Sequence, residues 1–216
     1  MDFLLLLLNK LILMFDESYN TVSQNSEGIY REKGSKFLGF CFHVKSETEV
    51  KEILAKLRKE YFDARHHCYA YRLGWDKSVF RFNDDGEPSG TAGRPIYGQL
   101  LSSDLTNTLV VVVRYFGGVK LGVGGLISAY KTAAFETIRN NKIETKPIRD
   151  LYKIHFQYAK MNNVMNCLKN NSIEIIENQF NEDCNIQFCV VKTESVRIYD
   201  AIFDIGDIDI QFIKTY

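Results

Sequence analysis

The sequence predicts an α+β chain of two domains, and three observations carry that expectation. Strand-length and helix-length patterns alternate irregularly along the chain. TLVVVVRYF (108–116) is a continuous apolar run of strand length, the pattern of a strand buried on both faces. The pattern then restarts after KIETKPIRD (142–150), a polar stretch carrying Pro147. The expected domains are therefore 14–147 and 148–216, behind an apolar tail at 1–13.

In the first domain, SEGIYREKGSKFLGFCFHV alternates apolar and polar positions around Gly34-Ser35, as two strands of a hairpin do. SETEVKEILAKLRKEY carries Val50, Ile53, Leu54 and Leu57 at helical spacing, and Ser46 with Glu49 makes a capping box. HHCYAYRLGW and SVFRFN read as strands, NDDGEPSGTAGRP as a loop, and IYGQLLSS as a short helix with Pro95 in its first turn. After the apolar strand, FGGVKLGVGGL leads into a helix reaching about Asn141. In the second domain LYKIHFQY, NNVMNCLKNN, SIEIIENQF, CNIQFCVVKT, SVRIYDAIFD and DIQFIKT follow as βαββαβ, a ferredoxin-like order.

Apolar residues make up 45% and charged residues 25% of the 216, which argues against disorder. Basic and acidic residues both number 27. From Asp150 onward there are six basic and ten acidic residues, net −4, which leaves +4 for the first 149. Such an asymmetry suits either a polyanion partner or a solvated helix face balancing an acidic second domain. Five cysteines, at 41, 68, 167, 184 and 189, form no C-x-x-C pair, so neither a disulfide framework nor a zinc site is expected and a reducing cytoplasm is the default. MDFLLLLLNKLILM is too short to span a bilayer, which needs about 20 apolar residues, and has no basic n-region or small-residue cleavage site. It reads as a start placed upstream of Met14, with a weak membrane-surface anchor as the alternative.

Two segments are candidates for chemistry. Asp84, Asp85 and Glu87 lie within four residues of one another, and they offer either oxygen ligands for Mg²⁺ and an acid/base pair or a plain Asx turn. The glycines 117, 118, 122, 124 and 125, next to Lys120 and ahead of a helix, suit an anion. Yet FGGVKLGVGG is neither a Walker A loop nor a Rossmann fingerprint. His66 and His67 are adjacent on a strand and so face opposite ways; the one sharing a face with Arg81 keeps a functional reading. Cys68 has no base beside it, which argues against a nucleophile.

RFNDDGEPSGTAGRPI and VVVVRYFGGVKLGVGGLISAYKTAA, with HHCYAYRLG upstream and EKGSKFLGF near the front, resemble the IMPACT/YigZ family from Ser26 to about Ile138. The resemblance implies a first domain similar to domain 2 of ribosomal protein S5 and a second similar to the ferredoxin-like modules of elongation factor G. It also implies a link to translation, since in eukaryotic members the related domain binds a scaffold protein and restrains a stress-activated kinase controlling initiation. Motif positions carry over to 84–91 and 93–95, then to Arg114, Tyr115, Phe116, Gly117, Gly118, Lys120, Leu121, Gly122 and 124–126. Ser128 stands where many members have arginine, and Asn83 where serine or aspartate is common.

Three functions stay open at this point. The first is a translation-linked regulator binding RNA, the ribosome or a translation-associated protein. Its binding residues are Arg81, Ser89, Thr91, Arg94, Arg114, Lys120, Ser128 and the glycines, with Tyr69, Tyr71, Tyr115 and Phe116 available to stack on bases. The second is an enzyme acting on a phosphorylated small molecule; no cofactor is expected, and Mg²⁺ enters only under this alternative. The third is a protein-interaction module without catalysis. No membrane partner is expected, and the sequence leaves the oligomeric state open.

Overall fold

Why the run Leu109–Val113 is apolar at every position becomes plain from its place in the computed structural model, which describes residues 17–216. The proposed start-site artefact at 1–13 lies outside the described residues. Two compact units form: Tyr19–Lys146, and Pro147–Tyr216 together with the residues just before Tyr19.

The first unit contains β1 (Ser18–Val22), β2 (Ser26–Glu32), β3 (Ser35–His43), α1 (Glu47–Glu60), β4 (His66–Leu73), β5 (Val79–Asn83), α2 (Gly93–Ser102), β6 (Thr108–Tyr115), α3 (Gly122–Arg139) and β7 (Ile143–Pro147), the last closing at the boundary. Five strands pair in the order β2-β3-β6-β4-β5, each antiparallel to its neighbour. β6 is the middle strand. Val110 and Val112 pack with α2 and α3 on one face. Leu109, Val111 and Val113 pack with Val50, Leu54 and Leu57 of α1 on the other. Alternate residues of a strand face opposite ways, so a strand covered on both sides has no solvent-facing position to be polar.

Local signals end these elements. Lys33 and Gly34 both take positive φ, 45° and 78°, which is the two-residue turn whose twist matches a hairpin. Ser46 accepts from the Glu49 amide at 3.2 Å, and Glu49 reaches back to the Lys45 amide at 2.9 Å. That reciprocal bond starts α1. α2 begins at Gly93, two residues ahead of Pro95 and earlier than IYGQLLSS suggested. β1 and β7 pair as a two-stranded sheet that sequence reading passed over. Neither SYNTV nor IETKP alternates apolar and polar residues cleanly, although Val22 at the end of β1 is buried in the core.

The second unit runs β8 (Arg149–Gln157), α4 (Met161–Asn170), β9 (Glu174–Gln179), β10 (Asp183–Val191), α5 (Ser195–Phe203) and β11 (Ile208–Thr215), in sheet order β11-β8-β10-β9. The βαββαβ order is thus present. Ile154, Phe156, Ile186 and Phe188 meet Val164, Leu168, Ile198 and Ile202 of the two helices in one core. Buried Asp150 accepts from Ser195 Oγ and from Thr215 Oγ1, tying the start of α5 to the end of β11.

Candidate functional site

The three carboxylates of the DDGEPSG loop go to three different places. Asp84 accepts from the amides of Gly90, Ala92 and Gly93 at 2.8–2.9 Å, so its side chain caps the first turn of α2. Asp85 sits in left-handed backbone, φ 43°, after its amide donates to Asn83 Oδ1. Its carboxylate accepts from the His67 amide at 2.7 Å and from Arg58 at 3.0 Å. Glu87 is buried, and its Oε1 accepts from Arg114 Nη1 at 2.6 Å and from the Tyr130 hydroxyl at 2.8 Å. The loop is thereby fastened to α2, β4, β6 and α3.

Arg114 is itself enclosed. Its guanidinium lies 5.5 Å from the Phe37 ring centroid and 5.7 Å from that of Phe116, with Ser35 Oγ at 3.4 Å from Nη2. Only its Nε lacks a partner. In this low-dielectric setting a charged pair is strong only when complete, so neither Glu87 nor Arg114 is a spare charge. Cys68 donates to the Asp84 carbonyl and the Tyr130 hydroxyl. Burial pushes its thiol, like the Tyr130 phenol, far up from the ordinary value. His66 Nδ1 stands 2.9 Å from the Asp85 carbonyl with Nε2 4.0 Å from Glu87, while burial lowers the pKa of His67. By register it is His67, on the α1 face, that shares a side with Arg81.

The glycine segment behaves differently. Gly117 touches the β2–β3 hairpin so closely that a Cβ would lie 1.9 Å from the Gly34 carbonyl carbon, and its amide donates to Ser35 Oγ at 3.2 Å. Beyond it the chain opens outward. Gly118 and Gly122 take positive φ, and a Cβ at either, or at Gly124, would meet nothing within 4 Å; at Gly125 it would meet only Leu121 Cβ. α3 starts at Gly122, and among the described residues no side chain caps its first amides. Its first amides therefore lack the carboxylate that α2 receives. Lys120 and Ser128 are exposed, as are Phe116 (57%), Val119 and Val123.

The remaining candidates are scattered. Arg81 is exposed on edge strand β5, Arg94 is exposed in the first turn of α2, and Ser89 is exposed in the acidic loop. Thr91 is buried and donates to the Pro88 carbonyl. Tyr69 and Tyr71 are buried against α1, and Tyr115 donates to Asp63, a bond that raises its pKa to about 12. Of the four aromatics offered for stacking, Phe116 is the one with an open ring face. Among the described residues no cluster of three or more His, Cys, Asp or Glu stands in position to hold a metal ion.

A family model described as the Impact N-terminal domain matches residues 33–138, a span that begins in the β2–β3 turn and takes in both loops. The chain is 33% identical over 178 residues to the IMPACT family member YvyE of Bacillus subtilis (strain 168), covering 82% of each. It belongs to the IMPACT/YigZ family. The family member YigZ of Escherichia coli (strain K12) is 36% identical over 134 residues, 61% of this chain and 66% of that one. A crystal structure of a hypothetical protein, 28% identical, superposes with a TM-score of 0.73 over 93% of this chain and 99% of its own.

Within the IMPACT-matched span, sequence reading overlooked Ser35, Arg58 and Tyr130, which anchor the two loops. Ser35 did lie inside EKGSKFLGF, a motif taken there for a hairpin alone. Tyr130 had no local signal, because its partners are 43 and 62 residues away in sequence.

Proposed function

We propose that this chain is a cytoplasmic, translation-linked regulatory protein that binds the phosphates of single-stranded RNA at the start of α3. The observation that carries this reading is the uncapped, glycine-lined helix start beside Lys120 and Phe116. Unpaired helix amides and a nearby cation favour an anion, and an exposed aromatic ring offers a base a stacking face. Ser128 supplies a hydroxyl on the same helix, in its second turn. The translation link comes from the family, together with the expected likeness of the first unit to ribosomal protein S5 and of the second to elongation factor G modules; such likeness is analogy, and the site must carry the function. That no helix among the described residues is long and apolar enough to cross a membrane is compatible with a cytoplasmic setting. The Mg²⁺-enzyme alternative would have to release Asp84, Asp85 and Glu87 from the bonds they make. The exposed Phe116, Val119, Val123 and Ile127 suit a protein partner instead, and that is the second reading.

The test is fluorescence anisotropy with single-stranded RNA and the full chain, from low to moderate salt, beside Lys120→Ala. Binding should weaken with salt by about 0.7 log units per log unit of salt for each phosphate neutralised, and Lys120→Ala should reduce that slope by about one contact. No binding at low salt contradicts the RNA reading and turns attention to the protein partner.

A further inference from the structure

β2 is an edge strand, and its sequence is self-complementary. Its residues alternate: Ser26, Gly28 and Tyr30 turn toward α3, where Ser26 Oγ donates to the Thr137 carbonyl and Gly28 lies against Thr137, while Glu27, Ile29 and Arg31 turn to the α1 side. All three are exposed, Ile29 by 58%. Neither Glu27 nor Arg31 has an ion-pair partner among the described residues. The Glu27 carbonyl accepts from the exposed Asn140 side chain rather than from a strand, so it faces the free edge. Backbone groups alternate sides along a strand, and Ile29 and Arg31 therefore present their N–H and C=O to the same free edge. The Asn140 side chain covers this edge at Glu27 and must swing aside for pairing, and an exposed edge of this kind is a template for another strand.

We propose that β2 pairs antiparallel with β2 of a second copy of this chain, about a two-fold axis at Ile29. In that register Glu27 faces the second copy's Arg31, Arg31 faces its Glu27, and Ile29 faces its own equivalent. These are the residues whose backbone groups point outward, so the register satisfies ladder and charges together. A slip of two residues either way sets Ile29 against Glu27 or against Arg31 and breaks both charge pairs. The interface is isologous, as a closed dimer requires. Beside the strand lies a cleft of about 500 Å³ with Phe40, Phe42, Ile53 and Leu57 in its wall and Glu27 at its rim. Among the described residues α1 is the single helix on this face of the five-stranded sheet, and Glu27, Ile29 and Arg31 of β2 stay exposed beside it; pairing would join two such clefts over a ten-stranded sheet. The joined floor would run through Phe40 and Ile29 of both copies.

The measurement is sedimentation velocity of the full chain across a concentration series, on the wild type, Arg31→Glu, Glu27→Arg and the double exchange Glu27→Arg/Arg31→Glu, with circular dichroism to verify folding. Each single exchange turns two attractive cross-strand pairs into two repulsive ones and should weaken dimerisation about tenfold or more. The double exchange restores opposite charges in the same register and should recover the wild-type dimer, which no misfolded variant would do. A wild type that stays monomeric at every concentration overturns the proposal and leaves the edge to solvent or to a foreign peptide. So does a dimer that ignores both single exchanges, since its interface must lie elsewhere.

Discussion

Two helices of the first unit begin beside motif-rich loops, and the chain treats their starts in opposite ways. At α2 the amides of Gly90, Ala92 and Gly93 all converge on Asp84, a carboxylate supplied by the chain itself. At α3 no side chain among the described residues caps the first amides, and glycines leave open space around the first turn. The same physics governs both, since unpaired amides and the helix dipole favour a negative charge at that end. One start is filled from within, and on the proposed reading the other takes its negative charge from a ligand. The conspicuous acidic motif is thus a fastening, and the conspicuous glycine motif is a surface.

The sharpest way to break this contrast is to attack the fastening at its buried centre. Glu87→Gln should destabilise the fold by about 3–5 kcal/mol, because it strands the Arg114 guanidinium between Phe37 and Phe116. Chemical denaturation measures it, and a loss below about 1 kcal/mol would mean that the pair is not holding the loop. A smaller effect separates the two ends of the glycine segment. Gly117→Ala must displace the Gly34 backbone and should cost about 1–3 kcal/mol, whereas Gly124→Ala meets nothing and should stabilise by up to about 1 kcal/mol through helix propensity. Equal effects at the two positions would remove the distinction between a packed and an open glycine.

The smallest expected effect is on pH dependence. Burial holds His67 below its usual 6.5, so the folded state binds its proton less readily than the unfolded chain. Its contribution to stability is therefore complete above about pH 6.5 and is lost as the pH falls through and below that value. The unfolding free energy should decline more steeply between pH 7 and 5 in the wild type than in His67→Gln. Identical slopes would show that the imidazole binds its proton as readily in the fold as in the unfolded chain.

Much of this was legible in the sequence, for physical reasons that differ by element. The apolar run of β6, the capping box at Ser46 and the glycine of the β2–β3 hairpin are local signals that specified their elements, although the turn falls at Lys33-Gly34, one residue before the Gly34-Ser35 expected from sequence. The β1–β7 pair was not legible, because two short polar strands far apart in sequence carry neither periodicity nor turn chemistry. The two loops stood out as motifs, but their roles did not. Whether Asp84 ligates a cation or caps a helix depends on where the amides of Gly90 to Gly93 fold back, and whether Arg114 is free depends on Glu87, 27 residues before it. Composition marks a residue as polar; only the fold says whether that polarity is already spent.

The central claim is that the start of α3 receives a phosphate, and Gly124→Asp tests it most directly. A carboxylate in the first turn supplies what α2 already has, so stability should hold or rise by about 0.3–1 kcal/mol. Anisotropy with single-stranded RNA should then show binding reduced at least about tenfold, while Asp84→Ala, which loses about 1–2 kcal/mol of stability, should bind RNA as the wild type does. Undiminished binding by a stable Gly124→Asp protein would contradict the account, because the phosphate would then be held somewhere other than this helix start.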